Sequence, residues 1–190
     1  MTSLIALGVL AFVVAGTALY FVGIYNGLIV VKNDITKAWS NIDVLLKQRH
    51  DELPKLVKAC EAYMGYEKGT LTKVIEMRNS AQSAQGVAAK AQAEGQLSGA
   101  IQKLFALAEN YPQLKAEGGF QQLQSRISGL ENQIADRREF YNESVNNYNI
   151  RIASIPDVFV ARFMSLSAQE MFKVSDDDRR DVDINIAVPN

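Results

Sequence analysis

Residues 4–24 read LIALGVLAFVVAGTALYFVGI, and no side chain between Met1 and Val31 carries a formal charge. The hydrocarbon core of a bilayer is about 30 Å thick and takes about 20 helical residues at ~1.5 Å each. Lipid offers no partner for an unpaired backbone amide, so a run of this kind crosses the core as a helix. We therefore predict that residues 1–31 form a single transmembrane anchor in contact with membrane lipid.

A cleaved secretory signal is the alternative interpretation of this run. Such a signal begins with a basic leader and has a shorter apolar core before a small-residue cleavage site. The first basic side chain in this sequence is Lys32, which follows the apolar run. The missing leader and the length of the run both favour the anchor.

Basic residues near the run also predict its orientation. No Lys or Arg precedes it, whereas Lys32, Lys37, Lys47 and Arg49 follow it. Lys and Arg accumulate in the cytoplasmic segments beside a span. We expect the N-terminus to lie outside and the C-terminal domain to lie in the cytoplasm.

Glycines within the run are candidates for contact with another membrane helix. Gly23 and Gly27 have the GxxxG spacing, and Gly16 lies one heptad before Gly23. A stripe of small residues lets a second helix approach closely. Glycine is also frequent in membrane helices in general, so lipid-compatible filler is the simpler interpretation of all three.

Apolar side chains beyond the run recur at helical spacing. They predict a helix over residues 32–64 that continues from the membrane, a second from Thr70 to Glu109, and a third from Phe120 that Pro156 ends. Residues 158–172 predict a shorter amphipathic helix. The seven-residue rows are Ile35, Ile42, Arg49, Leu56 and Tyr63 in the first helix and Phe120, Ile127, Ile134, Tyr141, Tyr148 and Ile155 in the third.

These elements predict an all-α fold in which an N-terminal transmembrane helix continues into an antiparallel bundle of three long helices plus a shorter C-terminal helix. We expect an anchor at 1–31, a bundle domain at 32–173 and an acidic tail at 174–190. In the tail, Val182, Ile184 and Ile186 alternate with polar residues, so a short edge strand is a second interpretation.

Two features interrupt the predicted helices. Pro54 lacks the amide that would bond the carbonyl of His50, which predicts a local kink rather than a helix end. The middle of the second helix, residues 80–100, consists largely of Ala, Gln, Gly and Ser. Such residues allow close packing but bury little apolar area, so this stretch is the predicted soft spot.

Composition excludes several classes of function. The chain has 20 basic and 21 acidic residues, which argues against the electropositive surface of a nucleic-acid-binding protein. One cysteine and one histidine cannot form an intrachain disulfide or a Cys/His zinc site. The sequence also lacks Glu-x-x-His pairs, a GxSxG elbow and a glycine-rich phosphate loop. We predict no cofactor, no metal ligand and no catalytic residue.

Arg49 is the most unusual polar residue because it occupies an apolar row. An unpaired buried charge is costly, so we expect a carboxylate partner, with Glu109, Glu131 and Asp136 as candidates. Tyr-Asn pairs also lie beside the rows, and they predict structural hydrogen bonds between helices by Asn142 and Asn149. On the last helix, Phe159, Phe163 and Phe172 are candidate partner-binding residues.

Two blocks of the sequence resemble the LemA family of bacterial membrane-anchored proteins. The first is Trp39-Ser40-Asn41-Ile42-Asp43-Val44 with Leu53-Pro54. The more specific second block is Ala108-Glu109-Asn110-Tyr111-Pro112-Gln113-Leu114-Lys115-Ala116, followed by Arg137-Arg138, Tyr141-Asn142 and Tyr148-Asn149. Tyr66 departs from the family, which usually has His before Glu67. The resemblance implies a helical bundle on an N-terminal anchor in the bacterial inner membrane and supplies no reaction. By analogy, it implies a membrane-organising role.

The sequence leaves three functions open. The leading hypothesis is a non-enzymatic scaffold that self-assembles into a homo-oligomer through apolar rows left uncovered within one chain. The alternative is an adaptor that presents its C-terminal helix and tail to a membrane-protein client such as a protease, transporter or sensor. A receptor that binds a ligand or lipid along residues 80–100 ranks third.

Overall fold

A computed structural model describes residues 1–173 of the chain. Six helices make up its regular secondary structure, and the described residues contain no strand. The all-helical class predicted from the apolar periodicity is therefore confirmed. The predicted acidic tail at 174–190, and the alternative edge strand at Val182, Ile184 and Ile186, lie outside the described residues.

Helix α1 runs without interruption from Thr2 to Glu61. It contains the whole apolar run, and none of the residues in its most apolar window of 18 is buried. By length and composition, α1 can cross a membrane. The helix also passes through Pro54, so this proline does not end it, as the phase of the apolar rows indicated.

The predicted second helix is wrong as a single element. It is divided into α2, Lys68–Ser83, and α3, Val87–Ala108. The break falls within the stretch predicted to be soft, where Ala84 is extended at ψ 131° and Gly86 has φ 83° and ψ 158°. Residues with a Cβ atom rarely adopt the Gly86 conformation, so this glycine permits the change of direction.

Three further helices follow: α4, Pro112–Lys115; α5, Gly118–Ala153; and α6, Asp157–Phe163. The prediction of a helix over 158–172 is wrong, because α6 ends at Phe163. Its end is a Schellman motif in which the Leu166 amide donates to the Ala161 carbonyl at 2.9 Å and the Ser165 amide to the Arg162 carbonyl at 3.0 Å. Ser165 takes the left-handed conformation that this motif needs, at φ 53°.

The chain forms two compact units. Residues 1–44 and 134–171 form the first unit, and residues 45–133 with the described residues 172–173 belong to the second. The core of the first unit near the apolar run contains Ile24, Leu28, Val160 and Ala161. The second unit has a larger core, which includes Leu53, Leu56, Cys60, Val74, Leu97, Ile101, Leu104, Leu114, Phe120 and Ile127. The sequence-based division at residues 31 and 173 stays a prediction.

The role of Gly86 in the break between α2 and α3 can be tested with a matched control. Gly86→Ala places a Cβ on a residue at φ 83°, and we expect it to destabilise the protein by ~1–3 kcal/mol. Gly99 lies inside α3, where an added Cβ meets nothing within 4 Å, so Gly99→Ala should stabilise by ~0.5–1 kcal/mol. Denaturant titrations of both variants in detergent check the opposite signs. Equal effects of the two substitutions would contradict the assigned role of Gly86.

Candidate functional site

Arg49 lies at the centre of a buried ionic cluster in the second unit. Its guanidinium is 0% exposed. Nη1 donates to Ser98 Oγ at 2.8 Å and to the carboxylate of Glu131, while Nη2 donates to the carboxylate of Glu94. Ser98 Oγ in turn donates to Glu131 Oε2 at 2.9 Å. We call Arg49, Glu94, Ser98, Glu131 and the adjoining His50 the Arg49 cluster.

The helices explain how this cluster assembles. Arg49 comes from α1, Glu94 and Ser98 are one turn apart on α3, and Glu131 comes from α5. Residues four apart on a helix share a face, so one face of α3 supplies two of the partners. The cluster therefore ties three helices together through groups that cannot be left unpaired.

Sequence reasoning named only one of the partners. Glu131 was a candidate and lies in the cluster, whereas Glu109 pairs with Lys115 on the surface. Glu94 and Ser98 were missed because they lie in the stretch interpreted as small-residue filler. Their spacing of four, with one acidic and one hydroxyl side chain beside small residues, is the signal that marks this face.

Electrostatics keep Glu94 in its charged form. Burial by itself raises the pKa of this carboxyl, but the hydrogen bond from His50 and the charge of Arg49 outweigh it and lower the pKa below the usual value. His50 Nε2 lies 3.1 Å from Glu94 Oε1 and 3.2 Å from Oε2, so it contacts both oxygens. Glu94 is therefore an anion that the two neighbouring groups stabilise.

Arg78 provides a hydrogen bond that Pro54 removes from the backbone. Pro54 has no amide hydrogen, so the carbonyl of His50 loses its helical partner. Arg78 Nε, on α2, donates to that carbonyl at 2.7 Å. A buried carbonyl is thus satisfied by a side chain from another helix, and α1 passes through the proline with its polar groups paired.

The Arg49 cluster suits a structural role better than catalysis. His50 and Glu94 are both buried, so a substrate could not reach either without a change of structure. The described residues contain no group of three or more His, Cys, Asp or Glu placed to hold a metal ion. At its edge, Glu52 pairs with Arg126 and Lys55, each at 3.1 Å, which continues the ionic network towards solvent.

In the first unit, polar side chains of α5 hold the segment that follows α6. The Asn149 amide donates to the Gln169 carbonyl at 2.9 Å and accepts from the Gln169 amide at 2.8 Å. The Tyr148 and Tyr141 hydroxyls donate to the carbonyls of Ser167 and Glu170 at 3.2 and 3.0 Å. These side chains satisfy the backbone of a non-helical segment, where the sequence predicted bonds between helices.

The other predicted polar and aromatic residues have diverse surroundings. Asn142 is partly buried on α5. Phe172 is 1% exposed, so its ring is buried. Phe159 and Phe163, in contrast, are 59% and 88% exposed. Of the three phenylalanines predicted to bind a partner, Phe172 is therefore buried, whereas Phe159 and Phe163 are exposed.

Gly27 differs from the other glycines of the apolar run. Arg151 Nη1 donates to the Gly27 carbonyl at 3.1 Å, and Arg151 Nε donates to Asp157 Oδ2 at 2.7 Å. A Cβ on Gly27 would collide with that guanidinium, whereas a Cβ on Gly16 or Gly23 would meet nothing within 4 Å. Gly27 is thus contacted by a side chain of its own chain, and of the three glycines predicted to contact another helix, Gly16 and Gly23 remain open.

The exposed side of α6 forms an apolar groove with the end of the apolar run. Phe21, Val22 and Tyr25 of α1 line it together with Phe159, Val160 and Phe163 of α6, around a volume of about 390 Å³. Val160, which also lines the groove, and Ala161 pack α6 against Ile24 and Leu28. We call these six lining residues the aromatic groove.

Comparison with known proteins places this geometry in a family context. Residues 38–186 match the model of the LemA family. The chain is 29% identical over 168 residues to Protein LemA of Metamycoplasma hominis, covering 86% of this chain and 75% of that protein. It is 23% identical over 175 residues to Magnetosome protein MamQ 2 of Paramagnetospirillum magneticum, and over 174 residues to Magnetosome protein MamQ of Magnetospirillum gryphiswaldense.

The matches to the two MamQ proteins cover 78% of this chain and 64% of each relative, so the chain spans somewhat less than two thirds of their length. None of the names of these relatives specifies a reaction. The range matched by the family model contains the residues of the Arg49 cluster and the α5 side chains that hold residues 167–170.

The contribution of Glu94 to the Arg49 cluster can be tested by mutation and by the pH dependence of stability. Glu94→Gln leaves the buried guanidinium with one carboxyl partner, and we expect a loss of about 3 kcal/mol at pH 7. Because folding lowers the pKa of Glu94, its contribution is complete above the usual glutamate value and is lost as pH falls through the lowered value. Denaturant midpoints measured from pH 7 to pH 3 should therefore fall more steeply in the wild type.

Glu76→Gln is the control for this test, because Glu76 makes only an exposed 3.8 Å pair with Lys73. Its effect should be within about 0.5 kcal/mol. If Glu94→Gln matched the wild type in both stability and acid sensitivity, the assigned role of the cluster would be wrong.

Proposed function

The chain belongs to the LemA family, and on that premise we propose that it is a non-enzymatic scaffold anchored in the bacterial inner membrane by α1. Its N-terminus lies outside and its helical domain, an antiparallel bundle, lies in the cytoplasm. Copies associate with one another within the membrane and organise the envelope around them. The bias of Lys and Arg towards the C-terminal side of the apolar run supports this orientation.

One observation carries the proposal: the most apolar part of the run has no cover within the described chain. No residue of its most apolar window of 18 is buried. An uncharged helix of this length is stable in lipid, and its side chains find partners there in acyl chains or in other helices. The function is therefore proposed to lie at the membrane rather than in a pocket of the helical domain.

The apolar rows of the second unit are buried, so we propose that copies associate through the apolar run instead. Its apolar rows already pack into one core, with Leu53, Leu56, Leu97 and Leu104 all 0% exposed. Such rows have little apolar area left to join copies. Gly16 and Gly23, which have open space around them, instead offer a stripe where the backbone of a second copy can come close.

Family membership supports a role without a reaction only by analogy. Two of the similar proteins are named magnetosome proteins, and we propose that this chain likewise organises membrane. The burial of the Arg49 cluster, whose guanidinium pairs with Glu94, Ser98 and Glu131, agrees with a structural domain. In this proposal the scaffold is a helical domain that the anchor attaches to the membrane.

Self-association through the glycine stripe is testable. Gly16→Leu combined with Gly23→Leu should block close approach and convert an oligomer into monomers, as measured by native mass spectrometry in detergent. Gly8→Leu is the matched control, since Gly8 also has nothing within 4 Å and lies about 60–80° away from the stripe around the helix. A wild-type protein that is strictly monomeric in detergent and in nanodiscs would refute the proposal of self-assembly.

An adaptor is the second candidate function, favoured by the exposure of Phe159 and Phe163. Residues after α6 are bonded to α5, so truncation would damage the fold, and point substitutions are the cleaner test. Phe159→Ala with Phe163→Ala should abolish crosslinking to a client in native membranes if the chain is an adaptor, and should leave homo-oligomers intact if it is a scaffold. Phe140→Ala, which alters a 48% exposed ring on α5, is the control.

A further inference from the structure

The aromatic groove joins α6 to the end of the apolar run, and we propose that membrane lipid fills it. In this arrangement α6 is an interfacial membrane element, and Phe159 and Phe163 insert into the bilayer beside α1. The inference rests on the membrane anchor of the proposed function and adds a second, separate contact with lipid. It assigns the occupant of the groove as lipid rather than as a second copy or a client.

The packing of α6 determines which way its aromatic side chains point. Val160 and Ala161 are buried against Ile24 and Leu28 of α1. Phe159 and Phe163 are four residues apart and so share the opposite, exposed face. The fold therefore holds α6 close to α1 and leaves both rings on the outside.

Helix geometry predicts how deep in the bilayer the groove lies. A hydrocarbon core about 30 Å thick that begins at Leu4 ends about 20 residues later, near Ile24. The α1 residues of the groove, Phe21, Val22 and Tyr25, then lie at the boundary between acyl chains and headgroups. Phe159 and Phe163 share this groove and so lie at the same level, where aromatic rings are favoured.

Continuity with the anchor is the reason for choosing lipid as the occupant. The α1 residues that line the groove are exposed: Phe21 by 41%, Val22 by 54% and Tyr25 by 44%. If α1 spans the membrane, lipid already contacts Phe21 and Val22, and the exposed α6 rings border the same space. A protein partner would have to displace that lipid from one wall to reach the other.

Two arginines are placed to meet the headgroups. Arg151 lies against the Gly27 carbonyl and Asp157, about one turn beyond Ile24 along α1. Arg162 is an exposed basic residue in the last turn of α6. Basic side chains at this level interact favourably with lipid phosphates, while their methylene stems lie along apolar surface.

Spin labels on the full-length protein test the inference. Phe159→Cys and Phe163→Cys are labelled separately with a nitroxide in nanodiscs of phosphatidylcholine and phosphatidylglycerol that hold one copy each. Val13→Cys, within the apolar run, is the lipid control, and Ala106→Cys, exposed on α3, is the water control. Native Cys60 does not interfere, because it is buried and burial raises its pKa to about 11. Its continued protection from thiol reagents also shows that each variant is folded.

Collision with oxygen and with a water-soluble nickel chelate reports the surroundings of each label. We expect labels at 159 and 163 to resemble that at 13, with an oxygen-to-nickel ratio several-fold above that of the label at 106. Water-like values at 159 and 163 with a lipid-like value at 13 overturn the inference and leave the anchor intact. A water-like value at 13 overturns the anchor itself, and the inference with it.

Nanodiscs that hold two copies test whether lipid or a second copy occupies the groove. The inference expects the ratios at 159 and 163 to be the same in discs with one copy and with two. Protection of these labels only when two copies are present would mean that a second copy covers the groove, and would overturn the choice of lipid.

Discussion

A guanidinium group removed from water requires acceptors around it, and Arg49 meets that requirement with Glu94, Ser98 and Glu131. This constraint reaches far along the chain, because the acceptors come from α3 and α5 while the arginine comes from α1. Helices that slid past one another by one turn would leave a buried charge unpaired, at a cost of several kcal/mol. The ionic cluster therefore sets the register of the helices in the second unit, and the apolar core supplies most of the burial around it.

The same requirement, that buried polar groups be paired, recurs where the backbone departs from regular helix. Arg78 replaces the amide that Pro54 lacks, and Asn149 pairs with both backbone groups of Gln169. A Schellman motif at Ser165 ends α6 and directs the chain towards these acceptors and donors. Tyr141, Tyr148 and Asn149, which belong to the second LemA-like block, thus serve the fold by satisfying backbone groups, which explains why these polar residues lie beside apolar rows.

The distribution of apolar surface connects the fold to the proposed function. Within the second unit, the apolar rows are buried in the core, whereas most of the apolar run of α1 and the rings of Phe159 and Phe163 are exposed. The exposed apolar surface is thus concentrated in the run and in the groove that borders it. The proposed scaffold requires this division, because its contacts are proposed to form in the membrane through the exposed apolar run.

Much of the fold was predictable because helices depend on residues close together in sequence. The seven-residue rows predicted α1 and α5 to within a few residues, and the soft composition of residues 80–100 anticipated the region in which α2 and α3 separate. The errors have a common origin. Residues 164–172 have helical spacing, yet the hydrogen bonds of Tyr141, Tyr148 and Asn149 compete with those of a helix and prevail. The sequence does not indicate the role of Glu94, because its partners His50 and Arg49 are 44 and 45 residues away along the chain.

The amino-acid sequence by itself determined the helical class, the apolar run suited to lipid, and the need of Arg49 for a carboxylate. Each of these follows from the periodicity, charge or polarity of neighbouring residues. Only the tertiary structure decided which carboxylates pair with Arg49 and which side chain donates a hydrogen bond to the His50 carbonyl. It also decided that Arg151 packs against Gly27, whereas Gly16 and Gly23 have open space around them. These choices depend on the distances between helices, and no local pattern encodes a distance between residues that are far apart along the chain.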